Sequence, residues 1–528
     1  MHSLISLPCS YRFRLRSSIV NFPSHIHTNF RFTIWLVTAL GTLGLFLLLT
    51  ACTEPPTDAF RFGLANAPTN LDPRFATDAT SDRVNRLLYE RLVDFNDAFE
   101  PIPALAVWEQ VAPTHFRFYL NPNRASFHDG TPLTAQDVKA TYEFILKAEN
   151  ASPHRGSLAM IDHIIVQDEA TIDFHLTRPD LLFPSFVVIG ILPAHLIQTN
   201  HPFHSRPIGS GPFSFVAWPD DTRLELVRLE DQQRFEFIKV QDPTVRALKL
   251  LAGEVDMVQN DLPPELVTYL TKDPRLHVQR SPGTNFSYLG FSFEDAHTKQ
   301  GLVRQAVAHA IDRERIIQYV MGGAARPAQS LLPPDHWAGA HNLRRYEHNP
   351  EKARLLLAQA GFSPSAPLKL TYKTSSDPFR VRLATILQYQ LSQVGIEVDL
   401  RSYDWGTFYG DIKAGRFQMY SLSWVGVKTP DIFHYVFHSE SIPPNGANRG
   451  RFRSRQADLL IDQAGSTQDT QEKKNLYQEL QAHLADALPY VPLWYEDHVF
   501  IARQDIKGFT IAKDGNFDGL QHVHRISL

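Results

Sequence analysis

Apolar residues along this chain are arranged in more than one way. From Phe32 to Ala51 they form a 20-residue stretch without a single charged residue. Beyond residue 60 they alternate with polar residues in short segments and recur at helical spacing in longer ones. Arg61-Phe62-Gly63-Leu64-Ala65 and His115 to Leu120 read as strands, and His163 to Leu176 alternates as a half-buried hairpin does. Asp82 to Val93 carries Val84, Leu87, Leu88 and Leu92 at helical spacing. Thr134, with Asp137 three residues on, opens a second helix in the manner of a capping box. Leu302 to Met321 sets Val303, Ala306, Val307, Ala310, Ile311, Ile317 and Val320 on one broad face before Gly322-Gly323, which predicts a continuous helix. Asn349 before Pro350, with Gly361 beyond Leu355, Leu356 and Leu357, brackets another. A helix from Pro378 to Val394 ends at Gly395 and leads straight into the strand Ile396–Leu400. Helix, glycine and β-branched strand in succession connect a mixed sheet to the helices that cover it, so the pattern predicts an α/β protein.

The first apolar stretch calls for a different reading. Residues 1–51 contain Arg12, Arg14, Arg16 and Arg31 but no Asp, Glu or Lys, and the stretch ends Leu49-Thr50-Ala51-Cys52. A basic segment, an apolar segment and small residues before a cysteine have the layout of a bacterial lipoprotein signal. Residues 1–51 are then removed and Cys52 carries the lipid. Residues 52–59, polar and with Pro55-Pro56, form a short tether. The competing reading is an uncleaved anchor, since about 20 apolar residues span a bilayer. The lipoprotein reading predicts a location in the periplasm or cell envelope, held to a membrane by acyl chains. No later apolar run reaches the length of a span.

Composition narrows the partners. Of the two cysteines, Cys9 lies in the removed segment and Cys52 is the lipid site, so the mature chain has no internal disulfide. Loss of the four arginines leaves 48 basic against 56 acidic residues, a mildly acidic body that argues against nucleic acid. The 43% hydrophobic and 11% aromatic content marks a globular chain, long enough for several domains. Catalytic signatures are missing: there is no Gly-x-Ser-x-Gly elbow, His-Glu-x-x-His or phosphate-binding lysine loop. Gly209-Ser210-Gly211 runs into Pro212 and opens no helix. His195, His201 and His204, and His522 and His524, read as solvated loop residues. The expectation is a protein without catalysis, cofactor or metal.

Six segments carry a resemblance. They are Asn70-Leu71-Asp72-Pro73 with Leu88 to Val93; Phe127-His128-Asp129-Gly130-Thr131-Pro132 through Val138; Pro207-Ile208-Gly209-Ser210-Gly211-Pro212-Phe213; Ala247-Leu248 through Gly253-Glu254-Val255-Asp256; Val303-Arg304-Gln305-Ala306 through Ile311-Asp312-Arg313; and Asn349-Pro350-Glu351-Lys352-Ala353 through Ala360-Gly361-Phe362. In this order the chain resembles the family 5 extracellular solute-binding proteins of ABC importers, the oligopeptide, dipeptide and nickel receptors. The resemblance implies a two-lobed periplasmic-binding-protein fold of class II, with mixed sheets flanked by helices and an extra inserted domain. Lobe I would combine 60–93, 205–285 and 495–528; domain II would be 94–204; lobe III would be 286–494. It also implies a monomer that closes on a peptide or peptide-like ligand and delivers it to an ABC permease. An oligosaccharide or a metal chelate remains a second class of ligand, and an exported sensor or hydrolase a rival of another kind.

The resemblance also implies where ligand is met. In peptide-binding members a tryptophan is followed three residues later by an aspartate that pairs with the peptide ammonium. Here the tryptophan is Trp424 and the third residue on is Val427, so the carboxylate is missing. Either the ligand lacks a free α-amine, or Asp431 supplies the charge from another angle, or the loop is aligned out of step. Other expected cleft residues are Trp405 after the strand Ile396–Leu400, Asn285 near the lobe crossing, Arg449 as a carboxylate fork, and Ala67 through its backbone.

Overall fold

The structure is a computed structural model that describes residues 59–527. Cys52, the signal and most of the tether lie outside the described residues. Among the described residues no helix is long and apolar enough to cross a membrane.

An eleven-stranded mixed sheet organises the chain. Its middle is made by two long antiparallel strands, Leu276–Phe291 and Tyr490–Arg503. On one side of this pair lie the strands Met257–Gln259, Phe60–Leu64, Arg234–Lys239, Arg223–Arg228 and Phe213–Asp220. On the other lie Met419–Trp424, Leu368–Ser375 and Ile396–Tyr403. Every residue from Phe286 to Phe291 is buried, as expected of a central strand covered on both faces. The pairing register shifts between Ser281 and Asn285, where Pro282 and Gly283 stand. Pro282 has no amide hydrogen to give to the ladder. A Cβ at Gly283 would run into the carbonyl oxygen of Glu496, so the close approach of the two strands requires glycine there.

Each half of the sheet has its own core. Phe60, Phe62, Phe213, Phe235, Phe237 and Phe517 pack on one side. Leu289, Val303, Val307, Leu370, Leu387 and Trp494 pack on the other. Between residues 94 and 204 a separate four-stranded antiparallel sheet is covered by the helix Ala135–Leu146, around Phe118, Tyr142, Phe174 and Phe183. The Asp137 carboxylate accepts the Thr134 amide at 2.8 Å at the start of that helix, as its spacing predicts.

Two helices differ from the periodicity. The helix expected over Asp82–Val93 is Ala79–Leu88, started by the Asp78 side chain and stopped where Tyr89 turns extended. The single helix expected over Leu302–Met321 is broken. Gly301–Ala310 ends at an extended Ile311, and Asp312 caps a new turn by accepting the Arg315 amide at 3.0 Å. The break draws Arg313 inward, where it donates to the carbonyls of Pro492, Ala308 and Tyr346. Periodicity registers apolar faces and is blind to a half-buried arginine that satisfies main-chain carbonyls of distant elements.

Candidate ligand-binding cleft

A cavity of about 740 Å³ lies beside the crossing strands and is bounded from both halves of the sheet. This is within the size range of small-solute sites. From one half come Arg83 of the helix Ala79–Leu88 and the turn Asn260-Asp261; from the other comes Arg380, in the first turn of the helix Pro378–Ser392. The crossing strands add Asn285 and Glu496.

Glu496 and Arg380 form an ion pair at 2.8 Å, with a second contact at 3.3 Å. Ser287 Oγ donates to the same carboxylate at 2.8 Å and is itself within 2.6 Å of Ser423 Oγ. Burial would raise the Glu496 carboxyl, but the Arg380 guanidinium and these hydrogen bonds hold it below its ordinary range. This group is fully partnered and ties a helix of one half to the crossing strands.

The Asn260-Asp261 turn is built differently. Both residues have left-handed backbone, with φ of 59° and 55°, a conformation Asn and Asp tolerate better than other residues with a side chain. Asn260 is locked to the neighbouring strand: its amide donates to Val499 O at 2.8 Å and its Oδ1 accepts the Val499 amide at 2.9 Å. Its Nδ2 lies 3.0 Å from His498 Nδ1. Arg246 donates to Asp261 O and, at 2.6 Å, to Val240 O. The turn is thus pinned by its backbone, while the Asp261 carboxylate makes no hydrogen bond or ion pair. Desolvation by the cleft walls raises its pKa against the opposing influence of Arg83 and Arg246, although the residue stays exposed to the cavity. Arg83 also lacks a hydrogen-bonded partner; its guanidinium lies 5.6 Å from the Phe517 ring centre. Asn285 Oδ1 is buried without a donor.

A smaller recess of about 230 Å³ shares Arg380, Ser423 and Val425 with the cleft and is lined by Tyr288, Tyr372 and Trp405.

The residues singled out from sequence separate into groups. Asn285 lines the cleft. Trp405 borders the smaller recess, 60% exposed, and stacks on Tyr409 at 5.3 Å. Ala67 is half-buried, two residues beyond the cleft-lining Ala65. Trp424 and Val427 pack against the apolar cluster that contains Phe433 and Tyr477. Arg449 is buried with them: it donates to the hydroxyls of Tyr288 at 3.3 Å and Tyr409 at 3.2 Å and lies 4.8 Å from the Trp424 ring centre. Asp431 precedes the helix Ile432–Phe437. Its pKa is raised by burial and lowered in part by His434, Arg178 and Lys473. Trp424, Val427, Asp431 and Arg449 are not among the residues lining the 740 Å³ cavity.

Sequence reasoning missed Arg83, Asp261, Arg380 and Glu496. For Asp261 a signal was present, since Asn-Asp before Leu-Pro-Pro is a turn sequence with αL tolerance. For the Arg380–Glu496 pair there was none, because the partners are 116 residues apart.

Two histidine groups were also missed. His115, Asp173 and His175 come together on the small sheet, and His434, His438 and Asp462 on facing helices. Asp173 is occupied by Arg117 at 2.7 and 2.8 Å. His438 Nδ1 accepts the Glu440 amide at 3.2 Å, which puts the proton of the neutral ring on Nε2, where a metal would need the lone pair.

Two halves joined by crossing strands, with a polar-lined cavity between them, define a two-lobed solute-binding protein. The model of bacterial extracellular solute-binding proteins, family 5 (middle), matches residues 98–446, and the chain belongs to this family. It is similar to the dipeptide-binding protein of Escherichia coli K12, with 25% identity over 92% of this chain and 98% of that protein. It is equally similar, at 25%, to heme-binding protein A of Haemophilus influenzae, over 88% of this chain and 93% of that one. Among solved structures, DppA of Helicobacter pylori in complex with the peptide STSA superposes with a TM-score of 0.74 at 25% identity, covering 88% of this chain and 98% of that chain. The chain is a substrate-binding protein of the ABC-importer type and not an enzyme.

Proposed function

We propose that this protein is a lipid-anchored, monomeric receptor that captures peptide or peptide-like solutes and hands them to an ABC permease. The observation that carries this reading is the cleft, where charged and amide side chains from both halves of the sheet face a cavity large enough for a short peptide. Lobe I is taken as 60–93, 205–285 and 495–528, lobe III as 286–494, and domain II as the insertion 94–204. Ligand contacts made with both lobes stabilise a closed form, because they are available only when the lobes approach. Glu265 of lobe I and Arg382 of lobe III then meet in a two-pronged exposed bridge at 2.8 and 3.2 Å. Cys52 carries the lipid in this reading, and the permease reads the closed surface.

The test has two arms. Full-length protein, isolated gently in mild detergent and then denatured, is analysed by mass spectrometry for what it releases. A set of short peptides supports the reading, and a single sugar or metal chelate replaces its ligand class. Metabolic labelling with a radioactive fatty acid tests the anchor: label is expected in the wild type and absent from Cys52→Ala.

A further inference from the structure

We infer that Asp261 and Arg83, both on lobe I, hold the ammonium and the carboxylate of a zwitterionic ligand. The inference rests on the peptide-receptor reading above and goes beyond it by assigning the charge-recognising residues. The other charged groups on the cleft wall have partners. Glu496 has Arg380, Asp497 has Arg326 at 3.2 Å, and Arg280 donates to Gly322 O at 3.0 Å. Asp242 and Asp377 accept amides at helix starts at 2.9 Å, and Arg246 is taken up by carbonyls. Asp261 and Arg83 are what remains. They influence one another electrostatically, yet no hydrogen bond or ion pair joins them.

Asp261 is exposed within the open cleft and Arg83 is half-buried in its wall, so the carboxylate as acceptor and the guanidinium as donor are both open to a ligand. A ligand carrying both opposite charges satisfies them together. Asn285 Oδ1, buried in the same wall and also without a donor, gives an ammonium a second acceptor in the same cavity. The pinned backbone of the Asn260-Asp261 turn fixes the carboxylate before ligand arrives, so little ordering cost falls on binding. Val427 then leaves no gap in recognition: the ammonium is met by lobe I, and lobe III need not supply a carboxylate. Because both anchors sit on one lobe, ligand docks there first and lobe III closes over it.

The experiment is retention of a tryptic casein digest, which covers many peptide lengths, by immobilised full-length protein in detergent. Retained peptide is quantified by mass spectrometry for the untreated digest, for an amine-acetylated digest and for a methyl-esterified digest. Wild type is expected to retain the untreated digest roughly 10- to 100-fold better than either blocked one. Asp261→Asn, which keeps the shape of the side chain and tolerates the left-handed turn, is expected to lose the preference for free amines. Arg83→Gln is expected to lose the preference for free carboxylates. Equal retention of acetylated and untreated peptides by wild type overturns this inference while leaving the peptide reading intact. Loss of amine preference in Asp431→Asn but not in Asp261→Asn also overturns it. Retention of none of the three digests overturns the peptide reading itself.

Discussion

Arg449 and Arg83 both carry guanidiniums without a bonded carboxylate, yet their surroundings differ, Arg83 being only half-buried. Arg449 is 7% exposed, hydrogen-bonded to two tyrosine hydroxyls and set over an indole. Arg83 has an aromatic face below it and a cavity in front. The first arrangement uses the charge in packing Tyr288, Tyr409 and Trp424 together, and the second leaves it available. Asp431 and Asp261 differ in a related way, since Asp431 stands with Lys473 and Arg178 away from the cleft wall, whereas Asp261 faces the cleft on a pinned turn. A charged side chain near a cleft informs about ligand only after its protein partners have been counted.

The comparison breaks most sharply at Arg449. Arg449→Ala empties a buried site and leaves the Tyr288 and Tyr409 hydroxyls without a donor, so a loss of about 2–4 kcal/mol in stability is expected. Urea denaturation measures it, and ligand retention by the fraction that remains folded should be unchanged. A stable variant with altered ligand choice would move Arg449 to the functional side of the comparison.

The next effect is a pH dependence unrelated to the cleft anchors. His336 is buried, accepts the Ala338 amide on Nδ1 at 3.0 Å and lies 3.0 Å from Lys428 O through Nε2. Burial pushes its pKa down to about 4. Between the ordinary histidine value and 4 the unfolded chain binds a proton that the folded chain does not. Stability contributed by His336 is therefore whole above about pH 6.5 and falls by about 1.4 kcal/mol per pH unit as pH drops toward 4. Denaturation at pH 6.5 and 5.5 should show this slope in the wild type and a shallower one in His336→Gln.

Smaller again is the loss at Glu496. Glu496→Gln keeps the Ser287 contact but removes the charge facing Arg380, at a cost of about 1–2 kcal/mol given the partial exposure of both groups. Because its carboxyl is held below the ordinary range, the wild-type contribution is present at neutral pH and is lost as pH falls through that lowered value. Thermal unfolding of wild type and variant should converge at strongly acid pH.

The smallest effect is expected at the exposed bridge between Arg382 and Glu265. Arg382→Ala should change stability by less than about 1 kcal/mol. It should also speed ligand release modestly, by an amount that fades as salt is raised. Stopped-flow release at low and high ionic strength checks this.

Much of the fold was legible because its signals are local. Asn349 Oδ1 accepts the Lys352 amide at 2.9 Å and Gly361 takes a φ of 91°, as the cap residues predict. The two-lobed architecture came from the resemblance, since no periodicity reports which strands cross. The cleft was less legible because its chemistry depends on partners far apart in sequence. Nothing local to Arg449 shows that Tyr288, 161 residues earlier, is brought beside it. Likewise, nothing local to Arg313 shows that Pro492 supplies its acceptor. Asn285 could be placed on the cleft wall because the crossing point could be; Asp261 could not, because nothing in a single sequence shows that a carboxylate has no partner.

The central claim is that ligand lies against the crossing strands in the cavity and not in the Trp424–Arg449 region. Hydrogen–deuterium exchange on full-length protein, stripped of ligand and then reloaded with the casein digest, tests it most directly. Ligand-dependent protection is predicted in segments 258–263, 281–287 and 377–381, with segments 433–437 and 447–452 unchanged. Protection confined to 420–452, with the first three segments unaffected, would contradict the account.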